Sequence, residues 1–244
     1  EFGNMDANLT EVTFEVASRR EKKLPRLVPL TEAVQAVVHH QTTAGSNPQD
    51  GDNIPNNSLA RKGGRTCIIP ARLEAVKGLV PFFGLLTPEM LKGWKIRVMG
   101  QGPLKDEILA TIARRGIGEF VEIVDYVPYA EMPAEYAKAD LLLLPSVYDP
   151  NPLSVIEALH SGLAVAVSNQ AGNVEEAVTE GENGWVLPVL DREAFRRKLE
   201  DVFCASRERL SEMGRVSKSG NARFWETEGA IRRFLDGVGI ASEG

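Results

Sequence analysis

Two carboxylates and two cations are spaced as a ligand site for hydroxyl and phosphate groups would need them. Between Ala139 and Glu176 the chain reads ADLLLLPSVYDPNPLSVIEALHSGLAVAVSNQAGNVEE, with Asp149 beyond a four-leucine run and Glu157 eight positions later. A carboxylate one turn into a helix can accept both hydroxyls of a ribose, as the ribose-binding acid of dinucleotide folds does. Upstream, Arg72 and Lys77 stand five positions apart, with Lys77 directly before Gly78 and a helical pattern. A cation at a helix N-terminus is slightly unfavourable, because that end carries about half a positive charge. The arrangement makes sense when an anion shares the place, since helix N-termini and basic side chains together bind phosphate. Each feature taken alone has a plainer reading. Arg72 and Lys77 read as two solvated charges, Glu157 as an exposed helix glutamate, and Asp149 as a turn former before Pro150. The G-x-G of Gly100 and Gly102 reads as a tight turn.

The elements that must position these residues alternate from Arg65 onward. The leucine run 141–144 reads as a strand covered on both faces, as in a parallel sheet. Asp149 then falls at its carboxyl end, where open α/β sheets hold their ligands. Further strands are expected at 66–69, 95–99, 121–124, 164–167 and 185–187. Helices are expected at 79–91, 104–115, 131–138, 153–160, 174–179, 194–203, 207–213 and 225–235. Strands separated by single helices imply right-handed βαβ units and a doubly wound, Rossmann-like α/β fold. Its sheet is mostly parallel, with helices on both faces.

That domain is expected over 63–240. Residues 1–62 differ in character. Residues 1–4 precede Met5 and read as a cloning remnant. A short helical pattern covers 31–40. The stretch QTTAGSNPQDGDNIPNN at 41–57 is polar and turn-rich, and reads as a partly disordered extension or linker.

Composition excludes several classes. With 28 Lys and Arg against 34 Asp and Glu, the net charge of −6 argues against a general nucleic-acid binder. Cys67 and Cys204 have no metal-ligand spacing and no disulfide framework, and suit a reduced, cytoplasmic protein. No apolar run approaches the ~20 residues that span a bilayer. His39, His40 and His160 form neither an H-E-x-x-H pattern nor a triad, and Ser146 and Ser154 lack the G-x-S-x-G elbow.

Several motifs occur in one order. Arg72, Lys77 and Gly78 fit R-x-x-x-x-K-G, and Gly100 to Pro103 fit G-x-G-P. Asp149-Pro150-Asn151-Pro152-Leu153-Ser154-Val155-Ile156-Glu157-Ala158 stands beside E-P-F-G-L-x-x-x-E-A. Ser161-Gly162-Leu163, Ala171-Gly172, Glu175 and Asn183-Gly184 follow. Over about 65–238 the chain resembles the C-terminal, donor-binding half of retaining glycosyltransferases of family 4, which have the two-domain GT-B fold.

The resemblance implies one half of a GT-B fold that binds a UDP- or GDP-sugar and transfers a hexosyl group, with no metal and no cofactor. Arg72, Lys77 and Asp149 would be catalytic. Arg72 and Lys77 would hold the diphosphate, Asp149 would face the sugar, and Glu157 would hold the ribose. Gly100 and Gly102 would lie near the donor, and the Val127 backbone near the base. Asn151, Leu153 and Ser154 would line the phosphate- and sugar-binding loop. Two departures stand out. Asp149 is one methylene shorter than the usual Glu, and Pro152 has no N–H to donate.

The acceptor half is not recognisable in 1–62. It is expected on another domain or chain, and peripheral membrane association could arise through it. An excised piece, a split enzyme and a degenerate, non-catalytic nucleotide-sugar- or partner-binding module all stay open. The split-enzyme reading predicts an apolar patch at the strand ends, and the isolated chain should be weakly active or inactive. A nucleotide-sugar epimerase is the weaker rival.

Overall fold

Four consecutive leucines can all be buried in a strand only where helices cover both sides of the sheet. The computed structural model describes residues 63–220 and arranges them that way. Among the described residues there are six strands: β1 (Arg65–Pro70), β2 (Trp94–Met99), β3 (Val121–Val124), β4 (Leu141–Leu144), β5 (Ala164–Ser168) and β6 (Gly184–Leu187). They lie in the order β3-β2-β1-β4-β5-β6, and every neighbouring pair is parallel. The helices between and after them are α1 (Leu79–Leu85), α2 (Lys105–Arg115), α3 (Met132–Tyr136), α4 (Leu153–His160), α5 (Val174–Ala177), α6 (Arg192–Cys204) and α7 (Arg207–Ser219).

The period-two alternation of strands divides the core in two. Leu141 and Leu143 pack with Ile69 and Ile96 against Phe82 and Phe83 of α1, Ile108 of α2 and Phe195 of α6. Leu142 and Leu144 pack with Ile68 and Val165 on the other face, against Tyr136 of α3 and Val155 and Leu159 of α4. Each fully buried leucine contributes about 1.5–3 kcal/mol by removal from water. The sheet is therefore the rigid platform of the molecule.

The helices carry their own start and stop signals. In α2, Ile108 and Ile112 face the core, acids occupy the first turn and arginines the last, which complements the helix dipole. Its end is marked by Gly116 at φ 66°. The Asp191 side chain caps α6 by accepting from the amides of Glu193 and Ala194.

Several expected bounds move. The helix expected over 79–91 ends at Leu85, and Leu86 turns extended at ψ 152°. Pro88 disfavours helical backbone at the residue before it, so the apolar run continues as turns although Leu86 and Leu91 remain fully buried. The helix expected over 131–138 shortens to α3, with a 3₁₀ turn at Tyr129–Glu131 before it. Helix α7 runs six residues past the expected stop at Met213. The patterns at 31–40 and 41–57, the helix expected at 225–235 and the domain end near 240 lie outside the described residues.

This strand order creates one special place. The described residues enter the sheet in its middle at β1, run out to β3, then return to β4 on the opposite side of β1. Loops leaving the carboxyl ends of β1 and β4 diverge to opposite faces and leave a crevice between them.

Candidate functional site

The loop after β1 carries Arg72 and Lys77, and backbone bonds lace it to its neighbours on both sides. Towards β2, the amide of Leu73 donates to Gln101 O at 2.9 Å and that of Leu104 to Leu73 O at 3.0 Å. Gly100 belongs to this seam, because a Cβ there would lie 2.1 Å from Ala71 O. Towards β4, the amide of Val147 donates to Val76 O at 2.9 Å. Gly78 sits there in the left-handed region at φ 65°, and its Cβ would meet Pro145 O at 2.2 Å. The loop after β4 is tied onward in turn: Gly172 N donates to Asp149 O at 2.9 Å.

This lacing brings Lys77 and Asp149 together across 72 residues of sequence. Lys77 Nζ lies 2.6 Å from Asp149 Oδ2, and the two side chains are only 16% and 12% exposed. A short, nearly enclosed pair of this kind is a strong charge-assisted bond, offset in large part by the cost of desolvating both ions.

Arg72 is the opposite. Its side chain is 70% exposed, and its guanidinium bonds Glu74 Oε1 at 2.8 Å. An exposed pair contributes about 0–1 kcal/mol, so Arg72 can exchange that partner for a better one at little cost. With Gly100 and Val127 it lines a cavity of about 440 Å³ at the ends of β1 and β2.

Glu157 projects from α4, where its Oε2 accepts a hydrogen bond from the Tyr136 hydroxyl at 2.7 Å. It lines a second cavity, of about 260 Å³, with Tyr136, Tyr129 and Met132. Met132 also borders the Arg72 cavity. Burial, then the bond to Glu157, push the Tyr136 phenol well above its ordinary range.

The remaining expected residues sit at the start of α4 or beside it. Leu153 is exposed and Ser154 half-buried, and the N-cap residue, Pro152, offers no side-chain bond to this helix end. The first amides of a helix lack intrahelical partners and are free for an anion. Asn151 is exposed, with its Oδ1 3.5 Å from Asn173 Nδ2. Gly102 packs against the backbone of Leu73, where a Cβ would lie 2.5 Å from its carbonyl oxygen. Glu175 is exposed in the first turn of α5. Lys77, Asp149, Asn151, Leu153 and Ser154 line neither of the two cavities.

Sequence reasoning missed Tyr136 and Asn173. Tyr136 is a buried aromatic in a short helix, and nothing in its neighbourhood distinguishes it from core. Asn173 follows Ala171-Gly172, is buried, and holds Pro152 O at 3.3 Å, which fixes the start of α4. An asparagine one position before a helix signals a cap, but this side chain makes no bond to α5, so no local signal pointed to its bond with Pro152.

Among the described residues no three His, Cys, Asp or Glu side chains cluster as a metal site, and no helix is long and apolar enough to cross a membrane. Tyr126, Tyr129 and Tyr148 are exposed in the segments after β3 and β4, and Leu153 is exposed at the first position of α4.

Comparison with known proteins bears on the family and the fold. The family Glycosyl transferases group 1 matches residues 50–217. An exopolysaccharide phosphotransferase of Streptomyces coelicolor, SCO2592, is 27% identical over 174 residues, which is 70% of this chain and 18% of that protein. The chain spans less than half the length of the curated relatives it matches. Among solved structures, the C-terminal domain of a glycosyl transferase group 1 family protein (LpcC) from Francisella tularensis is similar at TM-score 0.60 and 18% identity. That match covers 75% of this chain and 95% of that one. Anabaena Alr3699/HepE in complex with UDP is similar at TM-score 0.60 and 16% identity, over 80% of this chain and 54% of that one. Such structural likeness establishes the fold, the doubly wound α/β architecture found in GT-B glycosyltransferases.

Proposed function

The chain belongs to the group 1 glycosyltransferases, and from that premise we propose that it is the nucleotide-sugar module of a retaining enzyme that transfers a hexosyl group from a UDP- or GDP-sugar. The observation that carries this reading is the enclosed Lys77–Asp149 pair in the crevice between β1 and β4, with Arg72 on the same loop. The pair joins a cation for phosphate to a carboxylate for sugar hydroxyls at the place where open α/β sheets take ligands.

In the proposed reaction the bond from the sugar's anomeric carbon to the diphosphate oxygen breaks, and its electron pair leaves with the nucleoside diphosphate. The acceptor hydroxyl oxygen bonds that carbon with configuration retained and gives its proton to the departing phosphate. Negative charge grows on the diphosphate as the bond breaks. Lys77 and Arg72 stabilise that charge more than they stabilise the ground state, which is how they accelerate the step. Amides of Leu153 and Ser154 at the start of α4 add phosphate contacts. Asp149 orients the sugar, Glu157 holds the ribose, and the backbone of Gly100, Gly102 and Val127 lies along the nucleoside. No metal or cofactor is part of this scheme.

The acceptor belongs to a part of the enzyme beyond the described residues. Aligning acceptor with donor supplies much of the rate, so this chain alone should bind donor and transfer little.

Calorimetric titration with UDP, GDP, ADP and TDP, without metal, tests the proposal. One nucleotide should bind saturably, and Arg72→Ala and Lys77→Ala should weaken it by about tenfold or more. Absence of binding to all four would argue for a degenerate module. Full affinity in both folded variants would remove the two cations from the site.

A further inference from the structure

Glu157 does not stand alone. Tyr136 is 2% exposed, and its ring packs with Val155, Ala158 and Leu159 of α4, the helix that carries Glu157. A phenol clamped in a core is a rigid donor, since only two torsions set its hydroxyl and packing fixes both. A glutamate side chain by contrast carries up to about 2 kcal/mol of rotamer entropy, which ordering it must overcome.

We infer that Tyr136 is a positioning residue for ribose recognition: its hydroxyl, 2.7 Å from Glu157 Oε2, holds that carboxylate ready beside the cavity formed with Tyr129, Met132, Pro133 and Ser161. The inference rests on the proposed role of Glu157 as the ribose acceptor. A carboxylate offers about four lone-pair sites. Tyr136 occupies one, and enough remain for two ligand hydroxyls. Because burial and the Glu157 charge push the phenol upward, Tyr136 keeps its proton and stays a donor throughout the ordinary pH range. The cost of ordering Glu157 is thus met within the free protein and not by the ligand, which is preorganisation.

The test is titration of the full chain with UDP, GDP, their 2′,3′-dideoxy counterparts and inorganic pyrophosphate. Wild type should prefer the ribose form, and Glu157→Gln should largely erase that preference. Tyr136→Phe keeps the ring and removes only the donor. It should shrink the ribose-to-dideoxyribose ratio by about threefold to tenfold and leave pyrophosphate affinity within about twofold, the signature of one hydrogen bond. Glu157→Asp withdraws the carboxylate from Tyr136 without touching the core and should shrink the same ratio. In the double variant of Tyr136→Phe with Glu157→Gln the two losses should overlap instead of adding.

A Tyr136→Phe variant with the full ribose preference, while Glu157→Gln loses it, would overturn the inference and leave the ribose role of Glu157 intact. Equal losses for ribose, dideoxyribose and pyrophosphate in Tyr136→Phe would make Tyr136 merely structural. No ribose preference in wild type, or no binding of either nucleotide, would remove the reading of Glu157 and the inference with it.

Discussion

Arg72 and Lys77 leave β1 on one short loop and are equivalent as sequence, yet the fold gives them opposite lives. Lys77 is nearly enclosed against Asp149, and Arg72 lies open to solvent with Glu74 as its neighbour. The loops that carry the enclosed pair are tied together by the backbone bonds of Val147 and Tyr148 to Val76 O. The open pair is exposed and screened, and contributes little. One loop therefore carries one cation tied into the crevice by a carboxylate of the loop after β4, and another whose ion pair is with a neighbour on its own loop.

The largest effect should come from breaking the enclosed pair. Lys77→Ala leaves a nearly buried carboxylate without a counter-ion, and should cost about 3 kcal/mol in urea denaturation, the low end for a broken buried pair. Lys77→Met combined with Asp149→Leu should recover most of that stability and still fail to bind a nucleoside diphosphate. If Lys77→Ala is as stable as wild type, the contrast between the two cations disappears.

Next in size is Arg72→Ala. It should weaken diphosphate binding by about 1.5 kcal/mol, while stability moves by no more than about 0.5 kcal/mol. A large loss of stability would mean that the open cation is as structural as the enclosed one.

A second shielded ion pair sharpens the role of burial. Glu135 lies between Arg97 and Lys138, with its carboxylate largely covered. Burial alone would raise its pKa, but the bonds and charges of Lys138 and Arg97 outweigh this and hold it below the ordinary value. A depressed folded pKa contributes stability above the unfolded value, near ~4.3, and loses it as pH falls through the folded one. Wild type should therefore exceed Glu135→Gln by about 1 kcal/mol at neutral pH, and the gap should close in acid below about pH 4. A gap independent of pH would assign Glu135 to packing instead of charge.

The smallest test concerns the two thiols. Cys204 is exposed, whereas Cys67 is wholly buried in β1, and burial followed by the charge of Asp140 pushes its thiol far up. One thiol per folded chain should react with a thiol reagent at mild pH, and the second only on denaturation. Fast reaction of both would show that the sheet opens easily at β1, weakening the account of the enclosed site beside it.

Much of the fold was legible because its signals are local. The bounds of β3, β4 and α4 fall where the pattern of apolar residues put them, since burial on two faces or one is written into neighbouring residues. Helix α1 was read too long because the apolar run was followed through Pro88, a breaker that the sequence itself displays. In the site, the residue types were legible and the partnerships were not. Asn173 and Tyr136 look like a helix-end asparagine and a core aromatic until the loop after β5 meets Pro152, and α3 meets α4.

The sequence by itself determined the alternation of strand and helix, the group 1 motifs and the residues able to meet phosphate and hydroxyl groups. Those properties depend on side-chain chemistry and on periods of two or 3.6 residues. Only the tertiary structure decided that Lys77 would be enclosed by Asp149, that Arg72 would stay open and that Tyr136 would hold Glu157. Those outcomes depend on which strands lie side by side, and the return of the chain from β3 to β4 joins residues that no local pattern connects.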